Sequence, residues 1–508
     1  MKRFISNVLA TVVGGGLLVF LCMPMVVMAI VGTDDVGDTY DLPNEYVLVL
    51  DSGVAVSEQG TMPDFMAALQ GQDQKTTALR RVIEAIEFAA DDDEVLAILI
   101  DNQLQVGGHS QQSRIRQALV QFKESGKKII AYADGLDMRS YHLASVADEI
   151  YMPPMADFYF LGLSAELTSY AQALEKIGIE FQVTKVGKYK SAVEPFILNE
   201  ASAENKEQIR TLLDDVQRVY LSEIASAGRH SVNELQSIMD EVAVMDATAA
   251  VAQNLITETM YRDELIDYLT KEYGEDSEQS TFIQAGSNSY FNAFDFTDDH
   301  DPNLAVVYAD GEIIDGWSSA DIGGDSLSEE LRSVRGEEDI QAVVLRVNSP
   351  GGSAFASEQI LREVELLRAA GKTVVVSMGD VAASGGYWIS SRADAIVAEP
   401  NTITGSIGVF GMFPNYQKLR EKIGVNVQSI KTGSYSDALT LSRSKTEAEL
   451  ALIQKSVDKV YDDFLDRVSS GRKLDRDAVH EIAQGRVWSG SRAHELGLVD
   501  SLGGLDDA

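Results

Sequence analysis

Cysteine is almost missing from this 508-residue chain. Cys22 alone permits no intrachain disulfide and leaves no thiolate cluster for zinc or iron–sulfur, and it says nothing about compartment. Basic residues are scarce: 42 Lys and Arg stand against 79 Asp and Glu, a formal charge of −37. So acidic a chain is repelled by phosphate backbones and anionic surfaces, and no nucleic-acid partner is expected. The six histidines show no metal or triad spacing, and no GxxxxGK[ST] phosphate loop occurs, so neither a metal nor a cofactor is expected. The acid run Asp91–Asp92–Asp93–Glu94 reads as a solvated helix–strand connection. What remains is ordinary: 45% hydrophobic and 24% charged residues describe a packed globular protein of roughly two to four domains.

The N-terminus departs from that average. Lys2 and Arg3 precede a nearly uncharged stretch, residues 8–32, and Asp34, Asp35 and Asp38 follow it. As a helix rising about 1.5 Å per residue, the stretch can cross a hydrocarbon core of about 30 Å. It reads as one transmembrane span through the lipid bilayer, with the short N-terminus in the cytoplasm and the rest outside. A cleaved signal peptide is the alternative, but the stretch exceeds the usual apolar region and the small residues near Ala29 make a poor cleavage site.

Beyond the anchor the sequence repeats itself. GKKIIAYADG at 126–135 resembles GKTVVVSMGD at 371–380, ASVADEIYMPP at 144–154 resembles SSRADAIVAEP at 390–400, and ALEKIGIEFQVTKVGKYKS at 173–191 resembles YQKLREKIGVNVQSIKTGSYSD at 416–437. The offset stays near 245 throughout, so two copies of one domain lie in tandem. Each alternates β-branched runs, such as 95–100 and 342–347, with helical periodicity. Ile209, Leu212, Leu213, Val216, Val219 and Tyr220 keep a 3.6-residue period, as do Leu450, Ile453, Val457, Val460, Tyr461 and Phe464. This is an α/β pattern. The expected organisation is an anchor over 1–33, a first copy over 44–274, a Ser/Asn/Asp/Gly-rich linker over 275–303 and a second copy over 304–508. The second copy stops at LVDSLGGLDDA, 498–508, where the first continues into a further helix-like stretch; either the natural protein extends further or this copy is the shorter one.

Copies of one fold diverge most where chemistry is divided between them. Ser384 in VAASGGYWIS follows a strand, where small residues let a helix start close to the sheet, and the first copy has Met138 there. Conversely, Lys190 in VGKYKSAVEPF corresponds to Ser436, through Gly187/Gly433 and Tyr189/Tyr435. A serine hydroxyl needs a base, and a lysine desolvated between packed domains can be neutral and serve as one. NSPGGS at 348–353 follows the strand AVVLRV, and the amides of Gly351 and Gly352 are candidate oxyanion donors. Each motif also has a plain reading: a tight helix–strand contact at Ser384, a simple turn at Gly351 and Gly352, a solvated charge at Lys190. A histidine base is the competing constellation, His109 beside GG being its candidate, while His142, opposite Trp388, reads as a packed ring.

The N-terminal anchor, the duplication, YKSAVEPF, NSPGGS, AASGGYWIS and TGSIGVFG together resemble the signal peptide peptidase A (protease IV) family in its long, duplicated form, over nearly the whole chain. The resemblance implies two tandem crotonase-like/Clp-like α/β domains after an N-terminal transmembrane helix. It implies Ser384 as nucleophile, Lys190 as general base, Ser406 of TGSIG orienting the lysine, and Gly351 and Gly352 as the oxyanion element. It further implies a serine endopeptidase of the bacterial inner membrane, with its catalytic domains on the periplasmic side. Its expected substrates are signal-peptide remnants and unfolded hydrophobic peptides, and its expected assembly is a homotetramer. An acyl-CoA enzyme of the crotonase-like fold and a catalytically silent membrane scaffold are the alternatives.

Overall fold

A computed structural model describes residues 42–51, 53–60, 76–102, 104–294 and 303–508. The apolar runs of each copy form a parallel sheet. In the first half six strands lie in the order Glu258–Thr259, Glu149–Met152, Lys128–Tyr132, Val95–Asp101, Tyr46–Asp51 and Gln284–Gly286, every pairing parallel. In the second half the order is Leu304–Asp310, Ala342–Ser349, Thr373–Ala383, Ala395–Ala398 and Ser501–Leu502. There Ile403–Gly405 continues beside the end of Thr373–Ala383 and pairs on its far side with Val487–Ser489.

The central strands read as near-continuous Val/Ile/Leu runs because both faces are covered, as parallel sheets require. Tyr46 through Leu50 are all buried. Helix Leu79–Asp91 covers one face with Leu79, Val82, Ile83 and Ile86. On the other face Leu265, Leu269 and Phe282 pack on Val47, Val49, Leu99 and Ile130. Each half thus holds its own core, the second built around Leu345, Val347, Val376, Tyr387 and Phe464. The periodic segments are the long helices Ala203–Ser226 and Glu447–Arg472, capped by Ser202 and Thr446. The first buries Val216 and Tyr220 but also Asn205, Gln208 and Asp215, polar groups that the apolar period did not anticipate.

One expectation changes. The stretch expected as a linker belongs to the first half as far as residue 294. Glu275–Asp276 and Thr281–Phe282 form a hairpin, Gln284–Gly286 joins the sheet beside Tyr46–Asp51, and helix Ser287–Ala293 buries Tyr290 and Phe291. These elements are two to seven residues long, too short for a period to emerge from a polar background. The anchor expected over residues 8–32 lies outside the described residues; among the described residues no helix is long and apolar enough to cross a membrane.

The halves are joined by a ribbon and by buried charge. Strand Glu180–Val186 of the first pairs antiparallel with Val409–Asn415 of the second, from Glu180 opposite Asn415 to Val186 opposite Val409. Arg346 of the second half bonds Glu58 of the first at 2.9 Å, both almost wholly buried. Asp380 accepts from the Ser110 N–H at 2.7 Å, so a carboxylate of one half meets the positive end of the other's helix His109–Phe122.

Candidate active site

Strand Thr373–Ala383 ends at Ser384, and helix Gly385–Ser390 starts one residue later. Turning from strand to helix in so short a span places Ser384 at φ 54°, ψ −115°, a backbone region that costs a side-chain-bearing residue on the order of 1–3 kcal/mol. The corner is held on both sides: Ser384 N donates to Gly405 O and Trp388 N donates to Ser384 O, each at 2.9 Å. Gly386 makes it possible, since a Cβ there would stand 2.7 Å from Ser349 O. The Ser384 hydroxyl makes no cap bond to its own helix and is left for another partner.

That partner is Lys190. It follows the ribbon strand Glu180–Val186, so the first half carries it into the second. Its Nζ donates to Ser384 Oγ at 3.0 Å, Ser406 Oγ at 2.9 Å and Ser406 O at 3.0 Å. The side chain is buried, and among the described residues no carboxylate pairs with it. Burial pushes its pKa down to about 8, because removing water penalises the ammonium more than the amine.

The lysine is positioned from both halves. Tyr189 N donates to Gln484 O at 3.0 Å. Gln208, on the inner face of helix Ala203–Ser226, donates to Tyr189 O at 3.0 Å and Ser191 Oγ at 2.9 Å, and accepts from Val487 N at 3.3 Å. The Arg486 guanidinium lies over the rings of Tyr189 and Trp488, and Ser406 N donates to Arg486 O at 2.7 Å. Gln208 and Arg486 carried no signal in the sequence; their roles come from contacts far along the chain.

The two glycines of NSPGGS lie against the serine corner. Both hold positive φ, 98° and 153°. A Cβ on Gly351 would come 2.7 Å from Ser384 Cβ, and one on Gly352 would strike Ile313 O. Their amides differ. Gly351 N donates to Ser349 Oγ at 3.1 Å and is already engaged, whereas among the described residues neither Gly352 N nor Gly385 N has an acceptor. Gly385 was missed in the sequence, although the amide after a corner nucleophile commonly serves the oxyanion.

The corresponding positions of the repeat are built differently in each half. Ser436 is exposed and its Oγ accepts from Gly433 N. His142 is fully buried, stacked on Tyr220 and bonded to Glu223, a carboxylate partner 81 residues away that no spacing motif could show. No triad results: Ser113 Oγ donates to the same Glu223 rather than to the imidazole. His109 Nδ1 meets Tyr220 Oη, and burial pushes its pKa down to about 4. Among the described residues no group of three or more His, Cys, Asp or Glu could hold a metal ion.

Comparison with known proteins gives the family of the chain. The family model described as peptidase family S49 matches residues 121–275 and 367–508. Protease 4 of Haemophilus influenzae is 36% identical over 97% of this chain and 82% of that protein. Protease 4 of Salmonella typhi is 34% identical over 84% of this chain and 70% of that protein. The chloroplastic serine protease SPPA of Arabidopsis thaliana is 35% identical over 79% of this chain and 60% of its own length. Among solved structures, a point mutant of ClpP1 from Listeria monocytogenes aligns over 40% of this chain and 93% of that chain, at 14% identity and a TM-score of 0.27.

Proposed function

This chain belongs to peptidase family S49 and is a serine peptidase, and we propose that it cleaves peptides with Ser384 as nucleophile and Lys190 as general base. The supporting observation is a buried lysine that pairs with no carboxylate among the described residues, 3.0 Å from a serine on a strained corner. Neutral Lys190 takes the Ser384 proton as Oγ adds to the scissile carbonyl. The amides of Gly352 and Gly385 hold the developing oxyanion, and Gly351 shapes the loop that presents them. Lys190 then gives the proton to the departing amine, which breaks the C–N bond. A water deprotonated by the same lysine adds to the acyl-enzyme and releases Ser384. Ser406 keeps the amine aimed at Oγ through its two bonds. Family membership removes the acyl-CoA and silent-scaffold alternatives.

The substrates in this reading are cleaved signal peptides and other unfolded hydrophobic peptides, met at the bacterial inner membrane. Residues 8–32 anchor the chain in the bilayer, and both α/β halves stand on the periplasmic side as a homotetramer. The charge asymmetry around the apolar stretch and the family resemblance support this.

An acylating reagent directed at serine nucleophiles, followed by peptide mapping, tests the chemistry. Ser384 takes the label, and Ser384→Ala neither takes it nor cleaves a synthetic signal peptide. Label on another serine, or cleavage retained by Ser384→Ala, overturns the assignment.

A further inference from the structure

A cavity of about 380 Å³ opens between the halves, a size typical of small-ligand sites, which span about 300–1,000 Å³. Helices His109–Phe122 and Ala203–Ser226 of the first half line one side with Arg116 and Glu223; Glu399 and Pro400 of the second half line the other. None of them takes part in the peptidase chemistry. The repeat shows that the fold needs no charge here. Aligned through Gly126/Gly371, with Ile115/Ile360 and Leu119/Val364 in step, Arg116 corresponds to Leu361. Aligned through Val216/Val457 and Tyr220/Tyr461, Glu223 corresponds to Phe464, and Glu399 corresponds to Pro153 in the matching stretches 390–400 and 144–154. Leu361 and Phe464 are buried in the core of the second half. One cation and two anions thus stand where the twin copy carries apolar residues.

These charges are not spent on one another. Arg116 is 3% exposed, and among the described residues no carboxylate pairs with it. Its Nη2 donates to Glu223 O and, at 3.4 Å, to Ser145 Oγ, while Nε has no partner. Glu399 is 4% exposed, and among the described residues its carboxylate accepts no hydrogen bond. Its ion pair is with Arg114 Nε at 3.4 Å, a guanidinium shared with Asp506 and Asp507. Burial accordingly pushes the Glu399 pKa up to about 7 and pulls that of Arg116 down. Glu223 engages Oε2 with Ser113 and His142, and its Oε1 accepts nothing among the described residues. A buried charge without a full partner is destabilising, and a ligand group of opposite sign relieves it. Beside the charges, Val120 and Leu502 line the cavity with exposed apolar surface.

We infer that this cavity binds a small zwitterion, a free α-amino acid or dipeptide with an apolar side chain. The ligand's carboxylate pairs with Arg116, its ammonium with Glu223 and Glu399, and its side chain lies on Val120, Pro400 and Leu502. A simple amine leaves the arginine unpaired, and a simple carboxylic acid leaves both glutamates unpaired, so the full set of charges selects a ligand that carries both signs. Held in this way the ligand touches both halves and ties them together. The site is separate from the Ser384–Lys190 pair and stands independently of the peptidase chemistry.

Isothermal titration of the full chain in detergent tests it, in a Ser384→Ala background so that no probe is turned over. The probes are L-leucine, L-leucyl-L-leucine, 3-methylbutylamine and 4-methylpentanoate. At least one zwitterion binds and raises the unfolding temperature. The amine and the acid each bind at least about tenfold more weakly, since each forgoes a charge-assisted pair. Val120→Trp fills the cavity from its exposed side and abolishes binding, while circular dichroism and cooperative unfolding stay as in the parent. Glu399→Gln, which keeps the shape and removes the charge, weakens binding of the zwitterion at least about tenfold. No binding by any probe, an amine or acid that binds as tightly as the zwitterions, or unchanged affinity in Val120→Trp or Glu399→Gln overturns the proposal.

Discussion

The two halves build the same strand-to-helix corner in opposite ways. In the first half Asp137 caps helix Met138–Ala144 from an extended backbone, φ −113° and ψ 178°, and its carboxylate accepts from Ser140 N in a reciprocal capping box. In the second, Ser384 stands at the cap of Gly385–Ser390 at φ 54°, and its hydroxyl turns away from its own helix toward Lys190. A capping bond contributes about 1 kcal/mol, and a strained φ costs a similar amount. The second corner therefore forgoes local stability on two counts and gains a hydroxyl aimed at an amine. The first shows what the fold does there when no chemistry is asked of it.

Substitutions that erase the contrast have effects that can be ranked. Lys190→Met leaves the serine without a base, and kcat/KM falls by about 10⁴-fold, measured with a fluorogenic peptide. In the unaltered enzyme kcat/KM rises about tenfold per pH unit below the lysine's pKa of about 8 and levels above it, because only the neutral amine accepts the proton. A pH–rate profile flat from 6 to 9 contradicts this. The same lowered pKa makes burial of Lys190 destabilising at neutral pH, where the unfolded chain binds the proton more tightly; the penalty is relieved as pH rises from about 8 toward the ordinary lysine value. Lys190→Met is accordingly more stable than the parent at pH 7, with a gap that narrows at pH 10, read by denaturant titration. Ser384→Gly loses turnover but relieves the corner, raising stability by about 1 kcal/mol. Asp137→Ala lowers stability by about 1 kcal/mol and leaves kcat/KM unchanged, which circular dichroism and the same peptide assay check.

The alternation of strands and helices and the pairing of Lys190 with Ser384 were legible in the sequence, because the repeat supplies an internal control, whereas Ser406 came from the family resemblance alone. Where one copy carries a serine and the other Met138, or one a lysine and the other Ser436, the difference stands out against a shared background. What stayed hidden depends on meetings between distant residues. Gln208 looks like a solvent-facing glutamine until the second half covers it. Glu223 reaches His142 across 81 residues, and Gly351 spends its amide on Ser349, a detail of loop geometry rather than residue type. The short strands after residue 274 were lost in polar composition; two of them pair only with each other, and the partner of Gln284–Gly286, Tyr46–Asp51, lies far back in the chain.

The Glu58–Arg346 bond spans 288 residues. A ribosome releases the glutamate long before its arginine, and until then the first half holds an acid whose burial has no counter-charge. Breaking such a buried pair costs about 3–5 kcal/mol, so the early half lacks that contribution until the late one is made. The same delay applies to Lys190 and Ser384. A nascent first half therefore carries the base without its nucleophile, and the pair is assembled only once synthesis has passed the arginine and the serine together.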